Sequence, residues 1–201
     1  MKALFSALML ACLSLTGCGG GDVYVEVAAT PDPFPIRQTY EYLTHPTISG
    51  LEYFNSATGS ETHLTTAAGG YAGYTGNDSV AFVLGGILLF TMPGELPRPF
   101  SSLYDANRYS NASLYSDTAV ENLMAFLMAV DDDGDYTNGI QISSYVRVAA
   151  RGLHVNFNQS AFDFRNDSTT QYATAVLSGN TLYGQRWLPS VSQVQFALQS
   201  P

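Results

Sequence analysis

Cysteine is almost missing from this chain. The two cysteines, Cys12 and Cys18, both precede Gly19. Beyond residue 18 there can be no disulfide, no cysteine-ligated zinc and no thiolate nucleophile. Lysine is rarer still: Lys2 is the only one. Positive charge otherwise rests on Arg37, Arg98, Arg108, Arg147, Arg151, Arg165 and Arg186, against 17 Asp and Glu, for a net charge of −9. Such a chain has no cluster of basic residues to neutralise phosphates, which argues against nucleic acid as a partner and against docking on anionic lipid through basic residues. Long apolar runs are absent as well. Ala3 to Leu15 spans about 13 residues, where a membrane helix needs roughly 20. Val80 to Met92 is no longer and is broken by Gly85-Gly86. There is no Gly-x-Ser-x-Gly elbow for a nucleophilic serine. Gly69 to Gly76 is glycine-rich but lacks the Lys-Ser/Thr of a phosphate loop. His45, His63 and His154 are far apart, with no His-x-x-His spacing. The expectation is a chain that is not an enzyme.

What is present begins at the amino terminus. One basic residue, a short apolar stretch, small residues and then a cysteine form the layout of a secretory signal peptide. The tetrapeptide Leu15-Thr16-Gly17-Cys18 resembles the lipobox of bacterial lipoproteins. That resemblance implies a diacylglycerol thioether on Cys18, cleavage before it and acylation of the new amino terminus. Two or more acyl chains hold a protein on a membrane stably, where one chain is marginal. The residue after the cysteine is Gly19 rather than aspartate, which by the enterobacterial pattern favours the outer membrane. The expected organisation is a signal peptide over 1–17, a lipidated tether over 18–35 and a single globular domain over 36–201. Gly19-Gly20-Gly21 loosens the tether, and Pro31, Pro33 and Pro35 stiffen its far end.

Within the domain, the signals predict an α+β fold. The predicted half of antiparallel strands covers about 47–92 and packs with helices near 117–130, 143–151 and 190–199. Ile48 to Phe54 and Tyr71 to Thr75 are rich in strand formers, and 55–60 and 76–78 have turn chemistry. Val80–Leu84 and Ile87–Phe90 flank Gly85-Gly86, the pattern of a two-residue hairpin with φ > 0 at both glycines. The continuous apolar arms predict that both faces are covered. Residues 100–115 read as loop. Thr118 and Glu121 have capping-box spacing. Val120, Leu123, Met124, Leu127 and Met128 then follow a helical stripe that Phe126 and Val130 widen. Gly152 suits a helix end, Leu153 to Phe164 reads as strand or extended chain, and 165–171 as polar loop. Tyr71 and Tyr74 are candidates for an aromatic platform, and Trp187 for a core or rim residue.

Several of these segments also carry a family likeness. Gly50-Leu51-Glu52-Tyr53, then Val80 through Leu89, then Asn122 through Leu127, then Val130-Asp131-Asp132-Asp133-Gly134-Asp135 and Asn138-Gly139-Ile140 resemble segments of uncharacterised lipoproteins and adhesin-like surface proteins of Gram-negative bacteria. The likeness spans roughly residues 48–199. It implies a surface or envelope module and no catalytic residue. Thr66 to Tyr71 departs from the Asp-x-x-Gly-x-Phe segment usual there.

The acidic loop carries the most definite chemistry. Asp131, Asp133 and Asp135 alternate like the first ligands of a calcium loop, with Asn138 as a fourth oxygen donor. The loop is not an EF-hand, because Gly134 falls at the fourth position and Ile142 at the twelfth. Two readings stand: a Ca²⁺ site, or a solvated acidic turn whose clash with the preceding helix dipole is relieved by Arg147 or Arg151. For function, the first reading is an adhesive or structural surface module that binds a protein or glycan. The second is an accessory lipoprotein of a periplasmic or outer-membrane assembly, and the third a small hydrolase.

Overall fold

The computed structural model describes residues 38–56, 61–74, 79–94, 100–105 and 116–199. The expected signal peptide, Cys18, the tether and the turn residues 57–60 and 76–78 lie outside them. The fold is mixed α+β, with an antiparallel sheet region over 38–93 followed by helices, among which two short strands are set. The strands are β1 (Gln38–His45), β2 (Ile48–Ser49), β3 (Glu52–Asn55), β4 (Thr62–Leu64), β5 (Gly70–Tyr74), β6 (Ser79–Leu84), β7 (Ile87–Pro93), β8 (Phe100–Ser102) and β9 (Ile140–Gln141). Among the described residues they form an antiparallel sheet β4-β3-β6-β7, a sheet β5-β1-β8 and a pair β2-β9. β1 pairs parallel with β8, and β2 parallel with β9. Three of these strands depart from expectation. β1 precedes residue 47, β8 lies in the expected loop over 100–115, and β9 follows the acidic loop.

The Gly85-Gly86 hairpin forms as its pattern predicts, with φ of +59° and +123°. Its arms do not alternate simply. Val83 faces Leu88 but Phe82 faces Phe90, so Leu89 is an extra residue. This bulge turns both Leu89 and Phe90 inward. The expectation of two covered faces is corrected: Leu88 is 44% exposed, and Ala81 and Val83 are half-buried. At the buried face Phe82 stacks on Phe90 at 4.5 Å and meets Tyr71 edge-on at 4.9 Å. The two larger sheets are joined here by polar bonds. Asn55 Nδ2 donates to the Ala72 carbonyl at 3.2 Å, and the Ala72 N–H donates to the Tyr53 hydroxyl at 3.1 Å.

Helix α1 (Asp117–Val130) has all of Ala119–Val130 buried except Glu121. The capping box is corrected. Ser116, not Thr118, is the N-cap, and its hydroxyl accepts from the Ala119 N–H at 3.3 Å. Starting there places Asp117 in the first turn, where its charge favours the helix dipole. Around α1 pack α3 (Ala161–Asn166), α4 (Ser168–Ser178) and α5 (Val191–Gln199), while α2 (Ser144–Ala149) packs on α4. α2 is shorter than the expected 143–151, because Ser143 is its N-cap and Ala150 its C-cap. The expected strand or extended chain over 153–164 and loop over 165–171 are corrected where helices replace them, at Ala161–Asn166 and Ser168–Ser178. Leu153–Phe157 forms no regular element and pairs with no strand among the described residues. Buried Asn122 of α1 holds the segment instead, donating to the carbonyls of Phe157 and Gln159 at 3.0 Å each. Helices α3 and α4 follow. Strand and helix residues share one core cluster. Among the described residues no helix is long and apolar enough to cross a membrane.

Candidate functional site

Helix α1 has no basic residue in its last turn and ends at Asp131. Its C-terminal carbonyl dipoles therefore meet three carboxylates, and this arrangement needs a positive charge. The charge comes from Arg186, whose guanidinium donates to the Asp131 carbonyl. Neither Arg147 nor Arg151 takes that role. Arg147 donates instead to the carbonyls of Gly50 and Ile142, at 2.8 Å each. The chain before Arg186 lies over the loop. The Tyr183 N–H donates to the Asp132 carbonyl at 3.0 Å, and the Leu182 N–H to Asp132 Oδ1 at 3.3 Å.

Each candidate calcium ligand accepts from a donor of this chain, although Asp131 Oδ2 is buried without a hydrogen-bond partner. Asp131 is fully buried, with Oδ1 accepting from the Gln141 N–H at 2.8 Å. Asp133 accepts from the Asp135 N–H, Asn138 Nδ2 and Gln141 Nε2, each at 2.9 Å. Asp135 is turned onto Thr137, accepting from both its N–H and its hydroxyl. Asn138 Oδ1 accepts from Gln141 Nε2 at 3.3 Å. The loop thus brings Asp131, Asp133 and Asn138 around Gln141 and leaves Asp135 apart. Among the described residues no three Asp, Glu, His or Cys side chains gather as a metal-binding group. The network closes the loop onto β9, with the Asp132 N–H donating to the Gln141 carbonyl at 2.9 Å.

Beside the loop is an open groove of about 470 Å³, lined in part by Tyr136, Tyr183, Gln185, Arg186, Trp187 and Gln193. Trp187 is 80% exposed and Tyr183 is 65% exposed. The Arg186 guanidinium lies 4.8 Å from the Tyr183 ring centre, a cation–π contact that steadies the ring. The expected platform at Tyr71 is corrected, because Tyr71 is buried among Tyr53 and Phe82. Nor is Trp187 a core residue. The side chain of Tyr74 lies outside the described positions.

No family model, curated protein or solved structure matches this chain.

The three histidines stay apart. His45 Nδ1 shares a hydrogen bond with the neighbouring Thr44 hydroxyl at 2.9 Å. His63 stacks at 5.4 Å on Tyr53, with Glu61 at 3.9 Å. His154 borders a shallow depression with Asp167, and Asp167 is committed as the N-cap of α4. Sequence patterns did not mark 182–190 as a site, because its aromatics follow no helix or strand period. The one available signal was the density of Tyr183, Arg186 and Trp187 within a stretch that also holds Gly184 and Pro189.

The two central carboxylates titrate apart. Burial pushes Asp131 up to about 6, aided by the Asp133 charge and opposed by the Gln141 N–H and Arg186. Hydrogen bonds from Asn138 and the Asp135 N–H hold Asp133 below the usual carboxylate range. The native state thus binds a proton at Asp131 more tightly than the unfolded chain does. Stability rises as pH falls from about 7 towards 4, and the Asp131 contribution is lost as pH rises through about 6. Below pH 4 the trend reverses, because Asp133 and Asp167 have lowered values. Asp131→Asn keeps an acceptor for the Gln141 N–H and adds a donor towards Asp133. Thermal melts will show this variant more stable than wild type at pH 7.5, by about 1–2 kcal/mol, with a flat profile between pH 5 and 7. Because Arg186 already supplies the positive charge, 5 mM Ca²⁺ and EDTA will give the same melting temperature. A calcium-dependent rise that Asp131→Asn abolishes would restore the metal reading.

Proposed function

We propose that this chain is a lipid-anchored protein of the bacterial outer membrane. Its folded part, residues 36–201, is a non-catalytic binding module on a Gly/Pro tether, acting in surface adhesion or as a structural receptor. The observation that carries the anchor is the apolar run ending in Leu15-Thr16-Gly17-Cys18. Acylation at Cys18 supplies the membrane affinity that no described helix has the length to supply. The binding reading is supported by the groove beside the acidic loop. Large exposed aromatics lose nothing by being covered and are stabilised when a ligand removes them from water. The acidic, lysine-poor composition directs that binding away from nucleic acid and from bare anionic membrane.

Cys18→Ala tests the anchor, since only a thiol at this position can form the thioether. The variant will fail to incorporate labelled palmitate, will retain residues 1–17 and will be lost from the detergent-extracted outer-membrane fraction. Equal labelling and equal membrane recovery in wild type and variant would overturn the anchor.

A further inference from the structure

We infer that the groove beside Trp187 binds a neutral oligosaccharide, with Trp187 and Tyr183 stacking on sugar rings and Gln193 and Gln185 bonding to their hydroxyls. This names the ligand class of the binding module proposed above and rests on that reading. It does not depend on the anchor.

Four observations point this way. First, the aromatic faces are open: Trp187 is 80% and Tyr183 65% exposed. A pyranose presents a face of C–H groups rimmed by hydroxyls, so it needs a flat apolar surface bordered by hydrogen-bonding groups. Second, the rim supplies those groups in held positions. Gln193 Oε1 accepts from the Ser190 N–H at 2.8 Å and from the Ser190 hydroxyl at 2.9 Å. The amide is thereby oriented, and its Nε2 donates to no partner among the described residues. Third, the charge excludes other stacking ligands. Asp133 and Asp135 are exposed on the adjoining loop, and the two guanidiniums that border the surface among the described residues are both engaged, Arg186 by the Asp131 carbonyl and the Tyr183 ring and Arg165 by the Ala161 and Pro189 carbonyls. Nucleotides and uronic or sialic sugars meet net repulsion there, and a neutral sugar does not. Fourth, Trp187 also borders a second depression of about 160 Å³, with Gln171 in its wall. Gln171 Nε2 donates to the Arg165 carbonyl at 2.9 Å, which leaves its Oε1 to accept. The stacking surface therefore continues past one sugar ring. A protein partner is disfavoured, because the arginines that would anchor such an interface, Arg186 and Arg165, are committed within the chain.

The chain reports on this groove directly, since Trp187 is its only tryptophan. The full-length protein in a polyoxyethylene detergent, whose headgroup is not a sugar, is titrated with cellotetraose, chitotetraose, maltotetraose and trigalacturonate. At least one neutral tetrasaccharide will shift Trp187 emission to the blue and saturate, with Kd at or below about 1 mM. Trigalacturonate will not. Tyr183→Ala and Gln193→Ala will each weaken the response at least tenfold while the protein stays folded at the assay temperature, Gln193→Ala melting a few degrees lower because it loses its bonds to Ser190 at the start of α5. Trp187→Ala, followed by calorimetry, will bind none of the sugars. A blue shift that grows with protein concentration without sugar would mean that a second copy covers the groove, and would overturn the proposal. So would no response to all three neutral tetrasaccharides, or an undiminished one in Tyr183→Ala and Gln193→Ala. A Cys18→Ala chain that leaves the membrane but still binds sugar would sink the anchor alone.

Discussion

Phe82→Ala will lower the unfolding free energy by about 3–5 kcal/mol, the largest loss expected from any single truncation in the sheet region. Phe82 has no exposed surface. Its ring is stacked on Phe90 across the β6–β7 ladder, edge-on to Tyr71 of the neighbouring sheet, and 6.0 Å from Tyr53. Removing it forfeits the apolar transfer energy and the ring contacts, and leaves a cavity. Three strands besides its own line that cavity, and they cannot collapse without breaking their hydrogen bonds. Urea unfolding will show a lower midpoint with an unchanged slope. Leu88→Ala, on the outer face of the same hairpin, will cost under about 1 kcal/mol. If the two substitutions cost the same, the ring cluster is not where the two sheets are held together.

Gly85→Val and Gly86→Val will differ sharply although the glycines are adjacent and both have positive φ. At Gly86 a Cβ meets nothing within 4 Å, so the cost is that of a β-branched residue in disfavoured backbone, about 1–2 kcal/mol. At Gly85 the Cβ would sit 2.5 Å from the Arg147 carbonyl oxygen and 2.6 Å from the Ala150 Cβ. Helix α2 would have to move. That movement disturbs Arg147, which bonds Gly50 and Ile142, and the Gly85 N–H, which donates to Glu52 Oε2 at 2.8 Å. Gly85→Val will cost at least about 2 kcal/mol more than Gly86→Val, by thermal melts at one pH. Equal costs would mean that only turn geometry, and not docking of the hairpin tip on α2, selects glycine at position 85.

The elements that were legible share a cause. The Gly85-Gly86 hairpin, α1 and α5 state their structure locally, through φ requirements or an apolar stripe of helical period. The missed elements bury faces that hydropathy does not mark. The buried residues of α4 are Thr170, Ala173, Thr174, Leu177 and Ser178, a helical stripe made mostly of hydroxyls and small side chains. The caps Ser160 and Asp167 were the available signals. β1 buries Glu41 alternately with Leu43 and exposes Tyr40, the reverse of what polarity predicts. In the acidic loop the alternation of Asp131, Asp133 and Asp135 was visible, but its counter-charge was not. Arg186 lies 55 residues from Asp131 in the chain, and no local spacing links them.

By itself, the sequence determined the α+β class, the sites of hairpin and central helix, and the scarcity of cysteine and lysine. These depend on residue type and on neighbours within a few positions, where sterics and periodicity act. The tertiary structure alone decided that Arg186 caps α1, that Tyr71 is core while Trp187 faces solvent, and that the acidic carboxylates bond to their own loop. Each of these outcomes depends on which distant surface folds over a residue. An aromatic ring has the same hydropathy whether or not another segment covers it, and a carboxylate takes whichever donor the fold brings to it first.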